Sequence, residues 1–101
     1  MAWYSLDPRE ALRDLDDMSK EQLRQVAYAA RNPEARRAAV RRIGDQGLIR
    51  AFAKEDPSPL VRRGLVRILE DREALQYIAE NDEDRSVRQT AEDRLEQLQL
   101  L

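Results

Sequence analysis

The sequence predicts an all-α protein, a solenoid of stacked helical hairpins, on three observations. A nonapeptide returns three times at constant spacing, apolar residues recur with helical periodicity beside it, and the composition is poor in strand formers. The nonapeptide is Val61-Arg62-Arg63-Gly64-Leu65-Val66-Arg67-Ile68-Leu69. Twenty-six residues upstream stands Ala35-Arg36-Arg37-Ala38-Ala39-Val40-Arg41-Arg42-Ile43, and twenty-six downstream Val87-Arg88-Gln89-Thr90-Ala91-Glu92-Asp93-Arg94-Leu95. A fixed period of this length is the signature of a stacked array, because one such unit cannot bury its apolar face alone. Aromatic residues make up only 5% of the chain and charged ones 38%, which suits helices rich in Ala, Leu and Arg.

The elements follow in order. Asp7-Pro8-Arg9-Glu10 carries a capping residue, a proline at the first helical position and a capping-box glutamate, so a helix is expected over about 7–17 with Leu12, Leu15 and Met18 on one side. It does not fit the 26-residue template and is read as an N-terminal cap on the array. Ser19-Lys20-Glu21-Gln22 is a second capping box. It opens the first of three A helices, over about 20–31, 46–55 and 72–80. Leu23/Ile49/Leu75, Val26/Phe52/Ile78 and Ala27/Ala53/Ala79 repeat the period at i, i+3, i+4 and define the buried stripe, and Ser19, Asp45 and Asp71 repeat it as N-caps. Asn32-Pro33, Asp56-Pro57-Ser58-Pro59 and Asn81-Asp82-Glu83-Asp84 are turns. The B helices follow at about 33–43, 59–69 and 85–98, antiparallel to their A helices across these short turns. The repeats thus span about 19–43, 45–69 and 71–98 within one domain, 1–101.

Within each B helix the first, fourth, fifth and ninth positions are apolar or small and belong to the core. Gly64 at a fourth position lowers helix propensity by about 1 kcal/mol against Ala, so a packing reason for a small residue is expected there. The sixth position reads Val40, Val66, then Glu92. A residue that packs on a following repeat can be charged when none follows, so the third repeat is expected to end the stack and the chain to be complete.

These residues resemble HEAT-like repeats, in a short bacterial form. The likeness rests on Ala35-Arg36-Arg37-Ala38-Ala39-Val40-Arg41-Arg42-Ile43, Asp45-Gln46, Ile49-Arg50-Ala51-Phe52-Ala53 and Asp56, and covers about residues 20–97. It implies a right-handed α-solenoid whose B helices line the concave face and bind other proteins. It also implies that an Asp in the turn and the second residue of helix B form a structural ladder, here Asp56 with Arg62 and Asp82 with Arg88. Arg36 has Ala30 at the equivalent upstream place and is expected to stand apart.

Function is bounded more than it is named. The chain has no cysteine and no histidine, which closes thiol, disulfide, zinc–thiolate and imidazole chemistry. The serines sit at or near helix starts and the carboxylates on solvated faces, so no enzyme activity, cofactor or metal is expected. No stretch approaches a membrane span or a signal peptide, and the expected location is the cytoplasm. Net charge is −2, unevenly distributed: residues 36–67 hold nine basic residues against three acidic ones, while both ends are acidic. Arg37 and Arg41, and Arg63 and Arg67, form i, i+4 pairs on exposed ridges that stacked helices are expected to bring together. Like charges so placed repel, so the four are either a solvated face with local ion pairs, Asp45 or Glu70 neutralising part of the patch, or an anion site, which makes them the candidate partner-binding residues. An acidic protein partner is the first expectation. Nucleic acid or phosphate is the alternative, weakened by the acidic total and the few aromatics. Trp3 and Tyr4 at one end, and Leu98, Leu100 and Leu101 at the other, either seal the array or meet another molecule.

Overall fold

The computed structural model describes residues 15–100, and among them every regular element is helical. A 3-10 turn, Leu15–Asp17, precedes six α-helices: α1 Lys20–Ala29, α2 Pro33–Ile43, α3 Gln46–Glu55, α4 Pro59–Val66, α5 Arg72–Asn81 and α6 Arg85–Leu100. Two compact units divide the chain after Asp45. The first contains the hairpin α1–α2, and the second contains the hairpins α3–α4 and α5–α6. Residues 7–14 of the expected N-terminal helix, together with Trp3, Tyr4 and Leu101, lie outside the described residues.

Local chemistry sets the helix starts. Ser19 Oγ accepts from the Gln22 amide at 3.2 Å and Gln22 Oε1 accepts from the Ser19 amide at 2.9 Å, closing the capping box of α1. Asn32 accepts from the Glu34 amide at 2.8 Å ahead of Pro33, and Asp71 accepts from the Ala74 amide at 3.1 Å. The Ala74 amide, and then the Arg50 guanidinium 3.1 Å away, hold the Asp71 carboxyl below its ordinary pKa. Asp84 caps α6, accepting from the Ser86 hydroxyl and from the Ser86 and Val87 amides, and these bonds lower its pKa in the same way, the hydroxyl most. Ser58 stands at the N-cap position of α4 without a side-chain capping bond. The turn there is held instead by Asp56 Oδ1, which accepts from the Ser58 amide at 2.9 Å.

The helix ends differ from one another for stated reasons. Gly44 terminates α2 with φ 72°, a left-handed conformation that costs an L-residue with a Cβ about 1–2 kcal/mol. No glycine follows α4, which stops at Val66 rather than at the expected Leu69. Its last turn tightens into i→i+3 bonds, Ile68 amide to Leu65 carbonyl and Leu69 amide to Val66 carbonyl. The carbonyls thus freed find side chains. Gln46 Nε2 donates to Ile68 O at 3.2 Å while its Oε1 accepts from the Glu70 amide at 3.1 Å, and Arg94 Nε donates to Leu69 O at 3.0 Å.

The second unit is two hairpins stacked like on like, with α3 beside α5 and α4 beside α6. Its core is Leu48, Ile49, Ala53, Val61, Leu65, Val66, Leu69, Ala74, Leu75, Ile78, Val87, Ala91 and Leu98. The first unit buries Leu15, Leu23, Val26, Ala27, Ala30, Ala35, Ala39 and Val40. Burying a side chain the size of Leu65 contributes roughly 1.5–3 kcal/mol. The expectation that Phe52 is a core residue needs correction, because it is half-buried. At the same periodic position Val26 and Ile78 are 0% and 1% exposed. Leu48 and Ala74, twenty-six residues apart, supply buried surface that the expected stripe did not include. Ile43 and Leu95 are also only half-covered, whereas Leu69 at the same position is fully buried. Val40 and Val66 are buried and Glu92 is exposed.

Candidate functional site

Among the described residues the best-defined polar construction is built by the arginine at the second position of each nonapeptide. Arg62 lies on the first turn of α4, and both it and its partner Asp82 are almost wholly covered, their side chains 8% and 5% exposed. Arg62 Nε and Nη2 donate to the two carboxylate oxygens of Asp82 at 2.9 and 3.2 Å, a fork-on-fork pair, and Nη1 donates to the main-chain carbonyl of Asp56 at 2.7 Å. Asp82 Oδ1 also accepts from the Asp84 amide at 2.9 Å. Burying this pair is tolerable because the guanidinium and the carboxylate are each met by several bonds.

The same arginine in the other two nonapeptides closes its turn in the same way. Arg88 Nη1 donates to Asp82 O at 2.6 Å, and Arg36 Nη1 donates to Ala30 O and Arg31 O at 2.9 and 3.0 Å. Two sequence expectations therefore change. The group six residues upstream that receives the arginine is a main-chain carbonyl, not the Asp56 or Asp82 carboxylate, so Ala30 serves Arg36 as well as an aspartate would. The carboxylate that Arg62 does engage lies twenty residues downstream, in the next turn, and Arg36 does not stand apart.

The four candidate partner-binding arginines fall two to each unit. In the first unit, Arg37 and Arg41 lie one helical turn apart on α2, Arg37 half-buried and Arg41 exposed. They line a cleft with Leu15, Asp16, Ala38 and Arg42, in which Arg42 and Asp16 form an ion pair. Among the described residues that line the cleft, Asp16 is the carboxylate and it is engaged by Arg42, so three guanidinium groups stand with one carboxylate there. In the second unit, Arg63 lies half-buried in the last turn of α4 and its Nη1 stands 3.5 Å from Ser86 Oγ, at the outer limit of a hydrogen bond. Arg67 is exposed at the C-cap, where the negative end of the helix dipole favours a cation. It lines a small cleft with Thr90, Asp93, Arg94 and Gln97.

At the chain's far end, Leu98 is buried and Leu100 is 82% exposed, with Arg72 Nη2 donating to Leu98 O at 2.8 Å. Sequence reasoning missed the side chains that tie down the B-helix ends. The period itself offered a signal, since Gln46 and Arg72 are twenty-six residues apart and both reach a carbonyl near the end of the B helix in their own hairpin. Among the described residues no group of three or more carboxylates is placed to hold a metal, and no helix is long and apolar enough to cross a membrane. The chain matches no known family model, no curated protein and no solved structure.

Proposed function

We propose that the protein is a three-repeat, HEAT-like α-solenoid that serves as a small protein-interaction module and receives an acidic partner on its B helices. The observation that supports this reading is the cleft of Arg37 and Arg41. Among the described residues it joins an apolar wall, Leu15 and Ala38, to an excess of guanidinium groups, with Asp16 already engaged by Arg42. An acidic polypeptide matches both features. Carboxylates pair with the planar, forked guanidinium in bidentate fashion, and apolar side chains are covered by the wall. Arg63 and Arg67 extend the same chemistry to the second unit, on a helix of the same repeat position. The buried Arg62–Asp82 pair is assigned a structural role, because the two side chains are almost wholly covered and engage each other.

The test is a quadruple variant, with Arg37, Arg41, Arg63 and Arg67 each replaced by Gln. The four are surface or edge positions, so each substitution changes stability by no more than about 0.5 kcal/mol. Binding to a glutamate-rich peptide with interspersed leucines, measured by calorimetry, falls at least tenfold in the variant if the reading is correct. Unchanged binding, or no binding by the unaltered protein, refutes it. A parallel salt titration against duplex DNA separates the nucleic-acid reading: phosphate neutralisation gives a steep log–log loss of affinity, and a partly apolar peptide interface a shallower one.

A further inference from the structure

The second unit carries a cleft with chemistry opposite to that of the arginines. It has a volume of about 430 Å³ and opens where the α3–α4 and α5–α6 turns meet. One wall is Tyr77, a tyrosine that is 55% exposed on α5, and the Lys54 ammonium lies over its ring, 4.7 Å from the centroid. The rim carries Glu55 and Glu83, both exposed, with Asn81 between the aromatic wall and the turn. Arg62 also lines the cleft, but its charge is matched within the wall by Asp82. Among the described residues Lys54 is then the one lining cation that stands at the surface, against two rim carboxylates.

From this arrangement we infer that the Tyr77 cleft is a binding site for an alkylammonium group brought by another molecule, and that Lys54 occupies the seat in its absence. An aromatic face attracts a cation through its quadrupole, and carboxylates at the rim hold it by charge while leaving it partly hydrated. Lys54 demonstrates the geometry, since its own ammonium already sits where such a ligand's would. It is also easily displaced. The side chain is exposed, its stem is flexible, and it gives up one ring contact while remaining in water. The recognised chemistry is a primary or secondary alkylammonium, which reaches the cleft either on a lysine-rich peptide or as a free polyamine. No arginine of the proposed acidic-partner surface lines this cleft, so the two sites stand or fall separately.

The seat makes a prediction that a merely acidic patch does not. Removing Lys54 tightens ligand binding, and removing Tyr77 abolishes that gain. The probes are an acetylated, amidated tri-lysine peptide and spermidine, each titrated into the full chain while the Asn81 side-chain amide and Tyr77 ring resonances are followed by NMR. The same peptide acetylated on all three lysines is the uncharged control. Saturable shifts at both positions with either charged probe, tighter by about two- to fivefold in Lys54→Met, support the inference. The tighter of the two probes identifies the source of the ammonium. Tyr77→Leu, an exposed site at which the helix is retained by circular dichroism, removes the tightening in the Lys54→Met background. The inference is overturned if neither charged probe shifts these resonances. It is equally overturned if the acetylated control binds as well, or if Lys54→Met tightens binding to the same extent with Tyr77→Leu present, because charge alone would then account for the effect.

Discussion

Asp82→Asn is the substitution with the most to say about how the second unit is held together. The carboxylate of Asp82 takes both outer bonds of Arg62, at 2.9 and 3.2 Å, and a third from the Asp84 amide, all at a site where the two side chains are 5% and 8% exposed. An asparagine keeps the shape, but its amide nitrogen is a donor and must face either the Asp84 N–H or the guanidinium, which are donors too. Whichever way it turns, one contact becomes repulsive, and Arg62 keeps its charge with the Asp56 carbonyl as its remaining bond among those described. Removing one partner of a buried ion pair costs about 3–5 kcal/mol, because an uncompensated charge is left in low dielectric. A domain of this length has a total stability of roughly 5–15 kcal/mol, so the loss is a large fraction of it. In thermal terms it lowers Tm by roughly 12 °C or more. Urea melts followed by circular dichroism measure it, and repeating them at high salt checks the burial, since a covered pair is screened far less than a surface one. Arg62→Met with Asp82→Asn completes a double-mutant cycle in which the second substitution does little further harm. A loss below 1 kcal/mol for Asp82→Asn alone, or strict additivity in the cycle, refutes the reasoning and reduces the pair to a surface contact.

Other expectations concern the core, a helix end and the response to acid. Leu65, 0% exposed, is expected to cost about 2–5 kcal/mol on replacement by Ala, and Phe52→Ala less than full burial of a ring would give in the same denaturant series, because Phe52 is only partly buried. Gly44→Ala places a Cβ at φ 72° with only ordinary contact to Arg41 O at 3.9 Å, so strain alone acts and costs about 1 kcal/mol, while Gly44→Asn costs less; a chevron or melt comparing the three decides it. Asp71 and Asp84 have lowered pKa values in the folded state. Their contribution to stability is therefore complete above the ordinary carboxylate pKa and is lost as pH falls through their lower folded values. Melts taken from neutral pH into acid show a shallower decline in Asp71→Asn with Asp84→Asn than in the unaltered chain, since asparagine still caps but does not titrate.

The helices and their starts were legible in the sequence because they depend on neighbours a few residues away. Ser19 with Gln22, Asn32 before Pro33, and Asp71 three residues before Ala74 cap their helices through contacts of |i−j| two or three, and the turns at Asn32-Pro33 and Asp56 to Pro59 fall where their residue types require. The i, i+3, i+4 stripe likewise placed Leu23, Ile49 and Leu75 in the interior, and helical hairpins followed from the brevity of the turns. Tertiary structure decided what these local rules do not reach. The partner of Arg62 is set by how one hairpin sits on the next, which brings Asp82 within 2.9 Å across twenty residues of sequence; no spacing within a single repeat encodes that register. The early end of α4 was hidden for a related reason: without a glycine to stop it, the helix closes where Gln46 and Arg94, twenty or more residues away in each direction, hold the freed carbonyls. Phe52 and Ile78 share a periodic position, yet one is partly exposed and the other covered, because periodicity assigns a direction to a side chain while coverage depends on its length and on what the neighbouring helix brings to meet it.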